Sequence, residues 1–139
     1  MSQQLTREEQ ERKYPEYTWD LTTIFESDEA FEAAFKEVES YLGQEEQFKG
    51  HLGDSAETLY QALALEDEAE AKLEKVYVYA HLKQDQDTAN DKYTGFEARA
   101  HQLIIKFSSS WSFLVPEILQ IDEATIKPVS YTHLDAADE

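Results

Sequence analysis

Tyr93, Phe96, Ala100, Leu103, Phe107, Trp111 and Leu114 follow one another at steps of 3, 4, 3, 4, 4 and 3 residues. That rhythm lays seven apolar side chains along one face of a helix, and no other feature of the chain restricts its fold as strongly. The spacing predicts a helix over about residues 89–114, the longest in the chain, roughly 35–40 Å at 1.5 Å rise per residue. A stripe of that length must be covered by other helices. Pro116 is expected to end it, because proline has no backbone N–H to donate and its ring clashes with the preceding turn. Proline then suits the first position of a short helix over 116–119. Asp122-Glu123-Ala124 is read as the opening of one more.

The partner helices are written in the same way. Ser27 is the expected N-cap of a helix over about 28–42, with Asp28 and Glu29 at the positive end of its dipole. Phe31, Ala34, Phe35, Val38, Tyr41 and Leu42 share its inner face, and Gly43 stops it. Ser55 is expected to cap a second helix carrying Leu59, Ala62 and Leu63. The run Glu66-Asp67-Glu68-Ala69-Glu70 is too acidic for a core and predicts a break or a solvated turn. Leu73, Val76, Tyr77 and Ala80, with Tyr79 as a further candidate, resume the pattern in a helix over about 69–84, joined to the second or bent from it. Residues 85–88 connect it to the long stripe, with Asp87 or Thr88 as cap. Ahead of the first helix, Trp19, Leu21, Ile24 and Phe25 form an apolar anchor in a non-helical approach, and residues 1–16 are read as a loose polar leader. No segment sustains an alternation of period two; Val76–Tyr79 comes nearest but is flanked by helical residues. The expected class is all-α, antiparallel helical hairpins or a bundle of about four main helices.

The chain has 30 Asp plus Glu against 12 Lys plus Arg, a formal net charge of -18. The acid is spread along the sequence, and such a surface repels nucleic-acid phosphates and anionic membranes. With no cysteine there is no disulfide and no thiolate ligand or nucleophile, which fits a cytoplasmic protein. The N-terminal residues have neither a basic start nor an apolar core, so no secretory signal is expected. His51, His81, His101 and His133 stand 30, 20 and 32 residues apart, never at the three- to five-residue spacing that sets two imidazoles on one metal. Glu97 and His101 share a helix face, an arrangement that normally serves surface electrostatics. Asp85, Asp87 and Asp91 suggest a calcium loop, but the sixth position is Asn90 rather than Gly and the twelfth is Phe96 rather than Glu. They read as a solvated helix connection. Ser108-Ser109-Ser110 has no glycine elbow and no partner histidine. No residue is assigned a catalytic, cofactor-binding or metal-binding role.

Four pieces in order carry a resemblance: Trp19-Asp20-Leu21, the run LEKVYVYAHL over 73–82, the connection from Asp85 to Asp91, and WSFLVPEIL over 111–119. Across about residues 14–127 the chain resembles the N-terminal part of oligoendopeptidase F, a family of zinc metallopeptidases that cut short peptides. The resemblance implies helices forming the wall and lid of a substrate channel. The family's His-Glu-x-x-His zinc helix is absent here, so none of its ligands can be carried over, and the chain alone is expected to be inactive. The implied partners are a missing catalytic domain and, in the whole protein, short peptides. VSYTHLD, at 129–135, resembles a translated sequencing adapter; a natural linker is the competing reading. The expected organisation is therefore a leader over 1–16, a helical domain over 17–127 and a non-native tail over 128–139. The alternative function is a free-standing acidic helical module that binds a protein partner.

Overall fold

Polar caps decide where the helices begin. The computed structural model describes residues 5–129, and its helices include α1 (Arg7–Lys13), α2 (Asp28–Tyr41), α3 (Ala56–Gln86), α4 (Asp91–Ser110) and α5 (Leu114–Ile118). Residues 123–129 are helical as well, and the described residues include no strand. Ser27 accepts the Ala30 amide at the start of α2, and Ser55 accepts the Thr58 amide at the start of α3. The cap of α4 is Asn90, whose side chain accepts the Lys92 amide, and not Asp87 or Thr88. Asp87 instead closes α3. Gly43, at φ +98°, lies just past the end of α2 in the left-handed region, where a side chain would be strained.

Three expectations need correction. The longest helix is α3, with 31 residues; it runs unbroken through the acidic stretch. Ala69 is fully buried while Asp67, Glu68 and Glu70 stand in water, so one solvated turn is carried on a continuous inner face. Second, the stripe at 93–114 is divided. α4 has 20 residues, a turn occupies 111–113, and α5 follows. Pro116 is the third residue of α5 rather than the first, still within the turn whose amides need no helical partner. Its ring cannot follow an unbroken turn, so the axis changes before it. Third, residues 7–13 of the leader are helical. Thr6 and Glu9 form a reciprocal capping box, and Arg7 pairs with Glu11 at 2.9 Å. None of the α1 residues is buried, so local bonds rather than packing define it.

Cross-helix contacts give the topology. Tyr41 meets Glu68, Glu37 meets Lys72, and Asp28 meets Tyr79, so α2 and α3 run antiparallel. Asp28 meets Lys92 and Glu32 meets Arg99, so α4 lies parallel to α2. The resulting bundle is locked by aromatic rings from all three helices. Phe31 is stacked on Phe96 with centroids 4.4 Å apart and on Tyr79 at 5.4 Å. Phe25 closes the end of the bundle edge-on to Tyr79, at 5.3 Å. At the other end the loop after α2 supplies Phe48 and Leu52 to the core. Gly50 donates its amide to Glu117 Oε1 at 2.6 Å, which ties α5 to that loop. Val129, the second residue of the segment expected to be tail, is also buried in the core; positions 130–139, His133 included, lie outside the described residues.

Candidate functional site

Of the four apolar residues in the approach segment, Leu21 is buried and Ile24 and Phe25 are half-buried against the core. Trp19 is not an anchor. It is 54% exposed, and its backbone carbonyl, not its ring, is held, by Gln86 Nε2 at 3.0 Å. The approach segment, α1, the start of α2 and the last turns of α3 line an open hollow of about 510 Å³.

The hollow has an acidic rim, with Glu11, Asp20 and Glu26, and a floor made by Asp28 and Tyr79. Asp28 is the first residue of α2. One carboxylate oxygen accepts the Tyr79 hydroxyl at 2.8 Å; the other accepts Lys92 Nζ at 2.7 Å and the Tyr93 hydroxyl at 3.1 Å. Burial works against ionisation of this carboxyl, but the bonds from Lys92, Tyr79 and Tyr93 outweigh it and hold its pKa below the ordinary aspartate range. Burial, followed by the bond to Asp28, pushes the Tyr79 hydroxyl well above the ordinary tyrosine range. Lys83 Nζ lies 5.6 Å from the Tyr79 ring centre and 5.3 Å from that of Tyr93, as a cation over both faces. The groups of the floor are already engaged with one another. Asp28 is no free base, Tyr79 no accessible phenolate, and the node acts as a clasp joining three helices.

The histidines remain apart. His51 Nδ1 lies 2.9 Å from Asp54 on the surface, and His101 is exposed. His81 stacks on Tyr77 at 5.6 Å; its Nε2 is 3.4 Å from Asp85, and its Nδ1 is 3.8 Å from Glu97. Glu97 thus reaches across to α3, a contact that single-helix spacing with His101 could not reveal. Asp85, Asp87 and Asp91 fall respectively within α3, at its end and at the start of α4, as a helix connection does. Ser108 and Ser109 face solvent, and Ser110 donates to the Phe107 carbonyl at 2.9 Å. Among the described residues no three His, Cys, Asp or Glu side chains converge to hold a metal ion. The zinc implied by the resemblance therefore finds no fitting donor set in them. No helix among them is long and apolar enough to cross a membrane.

No family model matches the chain. Individual relatives do. It is 44% identical over 108 residues to Group B oligopeptidase PepB of Streptococcus agalactiae, an alignment covering 78% of this chain and 18% of the relative. It is 43% identical over 108 residues to oligopeptidase PepF of Bacillus subtilis, covering 78% of this chain and 16% of the relative. The fold matches the crystal structure of oligoendopeptidase-F from Enterococcus faecium with a TM-score of 0.69 at 38% identity, over 74% of this chain and 20% of that one. The chain therefore spans about a sixth of the length of these curated relatives. Sequence and helical fold together place it in the oligoendopeptidase F family, as a counterpart of the N-terminal region of those peptidases.

Proposed function

We propose that the chain is the helical N-terminal portion of a zinc-dependent oligoendopeptidase, a wall and lid of the channel in which short peptides are cut. One observation carries this reading: a 41–44% identity confined to about 16–18% of each relative, all of them oligopeptidases. The catalytic residues and the zinc belong to sequence outside this chain. Enclosure by helical walls restricts such a site to short, unfolded substrates. The clasp at Asp28 fits this role, since its bonds to Tyr79, Lys92 and Tyr93 tie three helices together. The excess of acid disfavours nucleic-acid and membrane partners, and the absence of cysteine suits a cytoplasmic setting. The free-standing protein-binding module gains no support from these relatives.

The reading frame in the source DNA provides the test. The expected result is a frame that continues and encodes His-Glu-x-x-His. A stop after this segment in independent reads contradicts the proposal. A protein-level check is dialysis of the isolated chain with zinc: no stoichiometric metal and no cleavage of a short peptide are expected. One retained equivalent with chelator-sensitive hydrolysis would place a catalytic site in this chain and refute the assignment.

A further inference from the structure

Between Ala100 and Pro116 the chain carries a single charged side chain, Lys106, although 30% of all its residues are charged. A buried helix would explain that composition, but only one face of this stretch is buried, by Ala100, Leu103, Phe107, Trp111 and Leu114. The outer face shows Gln102, Ile105, Ser109 and Ser112, at steps of 3, 4 and 3, to solvent, with exposed Lys106 at its edge as the one charge. The outer side of α3 is the opposite, with Asp67, Glu70 and Glu74 exposed. α5 repeats the contrast. Leu114 is buried, Ile118 is half-buried and Glu117 is tied to the Gly50 amide, which fixes the helix's inner side. Val115 and, just past the helix, Leu119 then point outward, 63% and 80% exposed. Ile105 on α4 is 58% exposed. Loss of charge together with exposed aliphatic side chains is the mark of an interface core rather than of a solvated face.

We infer that the outer face of α4 and α5 is a docking surface, and that its occupant is the remainder of an oligoendopeptidase F chain. This rests on the functional reading above. The matched fold makes up only 20% of the Enterococcus faecium chain, so a partner about four times as large belongs to the same molecule. A second copy of this chain is a poor occupant, since each copy carries a net charge of -18 and repels the other. The face calls for a partner surface that is apolar and uncharged at its centre. The acidic side of α3 remains in water.

The absence of cysteine makes the test direct. Single substitutions I105C, V115C and L119C, with E70C as control on α3, are labelled with a maleimide in the isolated chain. They are labelled again in a chimera where residues 5–129 replace the matching segment of the Enterococcus faecium enzyme. The expected result is fast labelling of all four in the isolated chain, and at least ten-fold slower labelling of the first three in the chimera with E70C unchanged. Equal rates for all four in both proteins overturn the inference. Slow labelling in the isolated chain accompanied by a dimeric mass also overturns it, by giving the face to a second copy. As an independent readout, I105E with L119E should lower the melting temperature of the chimera and leave that of the isolated chain unchanged. An unchanged chimera rejects the surface. Peptide hydrolysis by the unsubstituted chimera reports on the functional reading alone: activity with an unprotected face keeps that reading and discards this one, and protection without activity does the reverse.

Discussion

Substituting Tyr79 by Phe isolates the clasp from the aromatic core. Tyr79 is 2% exposed and its ring packs on Phe25 and Phe31, so Y79F leaves the packing in place and removes only the hydroxyl. The lost bond is the 2.8 Å contact to the Asp28 carboxylate. Hydrogen bonds to charged groups contribute about 1.5–3 kcal/mol. Asp28 keeps Lys92 and Tyr93, and its side chain is 18% exposed, so water can take the freed position. The lower end, about 1.5 kcal/mol, is the expected cost. With a urea slope of about 1.5 kcal/mol/M, the unfolding midpoint should fall by about 1 M. Trp111, 6% exposed within the bundle, gives a fluorescence probe of the transition, checked by circular dichroism. The effect should also depend on pH. Asp28 has a folded pKa below its unfolded value, so its contribution is present above about pH 3.9 and is lost as pH falls through the folded value. Wild type and Y79F should therefore converge as the pH is lowered below that range. An unshifted midpoint at pH 7, or a shift that never shrinks as the pH falls below the ordinary aspartate range, would refute the assignment of the clasp.

Phe31→Ala should cost about 3–5 kcal/mol in the same urea assay, because a fully buried ring stacked between α3 and α4 leaves a cavity. Gly43→Ala should cost about 1 kcal/mol from backbone strain alone, since φ is +98° and nothing lies within 4 Å of an added methyl; a calorimetric melt reads this directly. Glu66→Gln should stabilise at pH 7. Burial, then Glu70 and Asp67, raises the pKa of Glu66, so its ionisation weighs against the fold as pH rises through that value; the gain should vanish near pH 3 in matched urea titrations.

Glu66 also shows where sequence periodicity ran short. Leu59, Ala62, Ala69, Leu73, Val76 and Ala80 form a continuous stripe only if position 66 completes it, and a charged residue stands there, half-buried. Hydropathy therefore breaks at the one turn where the backbone does not. The helix starts at Ser27 and Ser55 were legible because capping is local: a hydroxyl three residues ahead of an amide suffices. The place where the α4 stripe breaks was not, because Pro116 acts on the turn before it, and periodicity alone continues through 111–113. Phe48 and Leu52 carry no helical rhythm, and only the return of the loop after α2 onto the bundle makes them core. The size of Trp19 suggests burial, but the structure holds it by its carbonyl and leaves about half of the residue exposed. The clasp was invisible for a related reason. Asp28, Tyr79 and Tyr93 are 51 and 65 residues apart in the bonds they make, and no local pattern announces them. The family, by contrast, was legible from four short stretches in the right order, a form of information that needs no contact geometry.

In the proposed function this chain supplies structure to a peptidase whose chemistry lies elsewhere. Hydrolysis of a short peptide by the Enterococcus faecium chimera, with the parent enzyme and the isolated chain alongside, tests it most directly. The account predicts chelator-sensitive cleavage by the chimera within about ten-fold of the parent and none by the isolated chain. A folded chimera that binds zinc as the parent does but cleaves nothing, or an isolated chain that cleaves on its own, would contradict it.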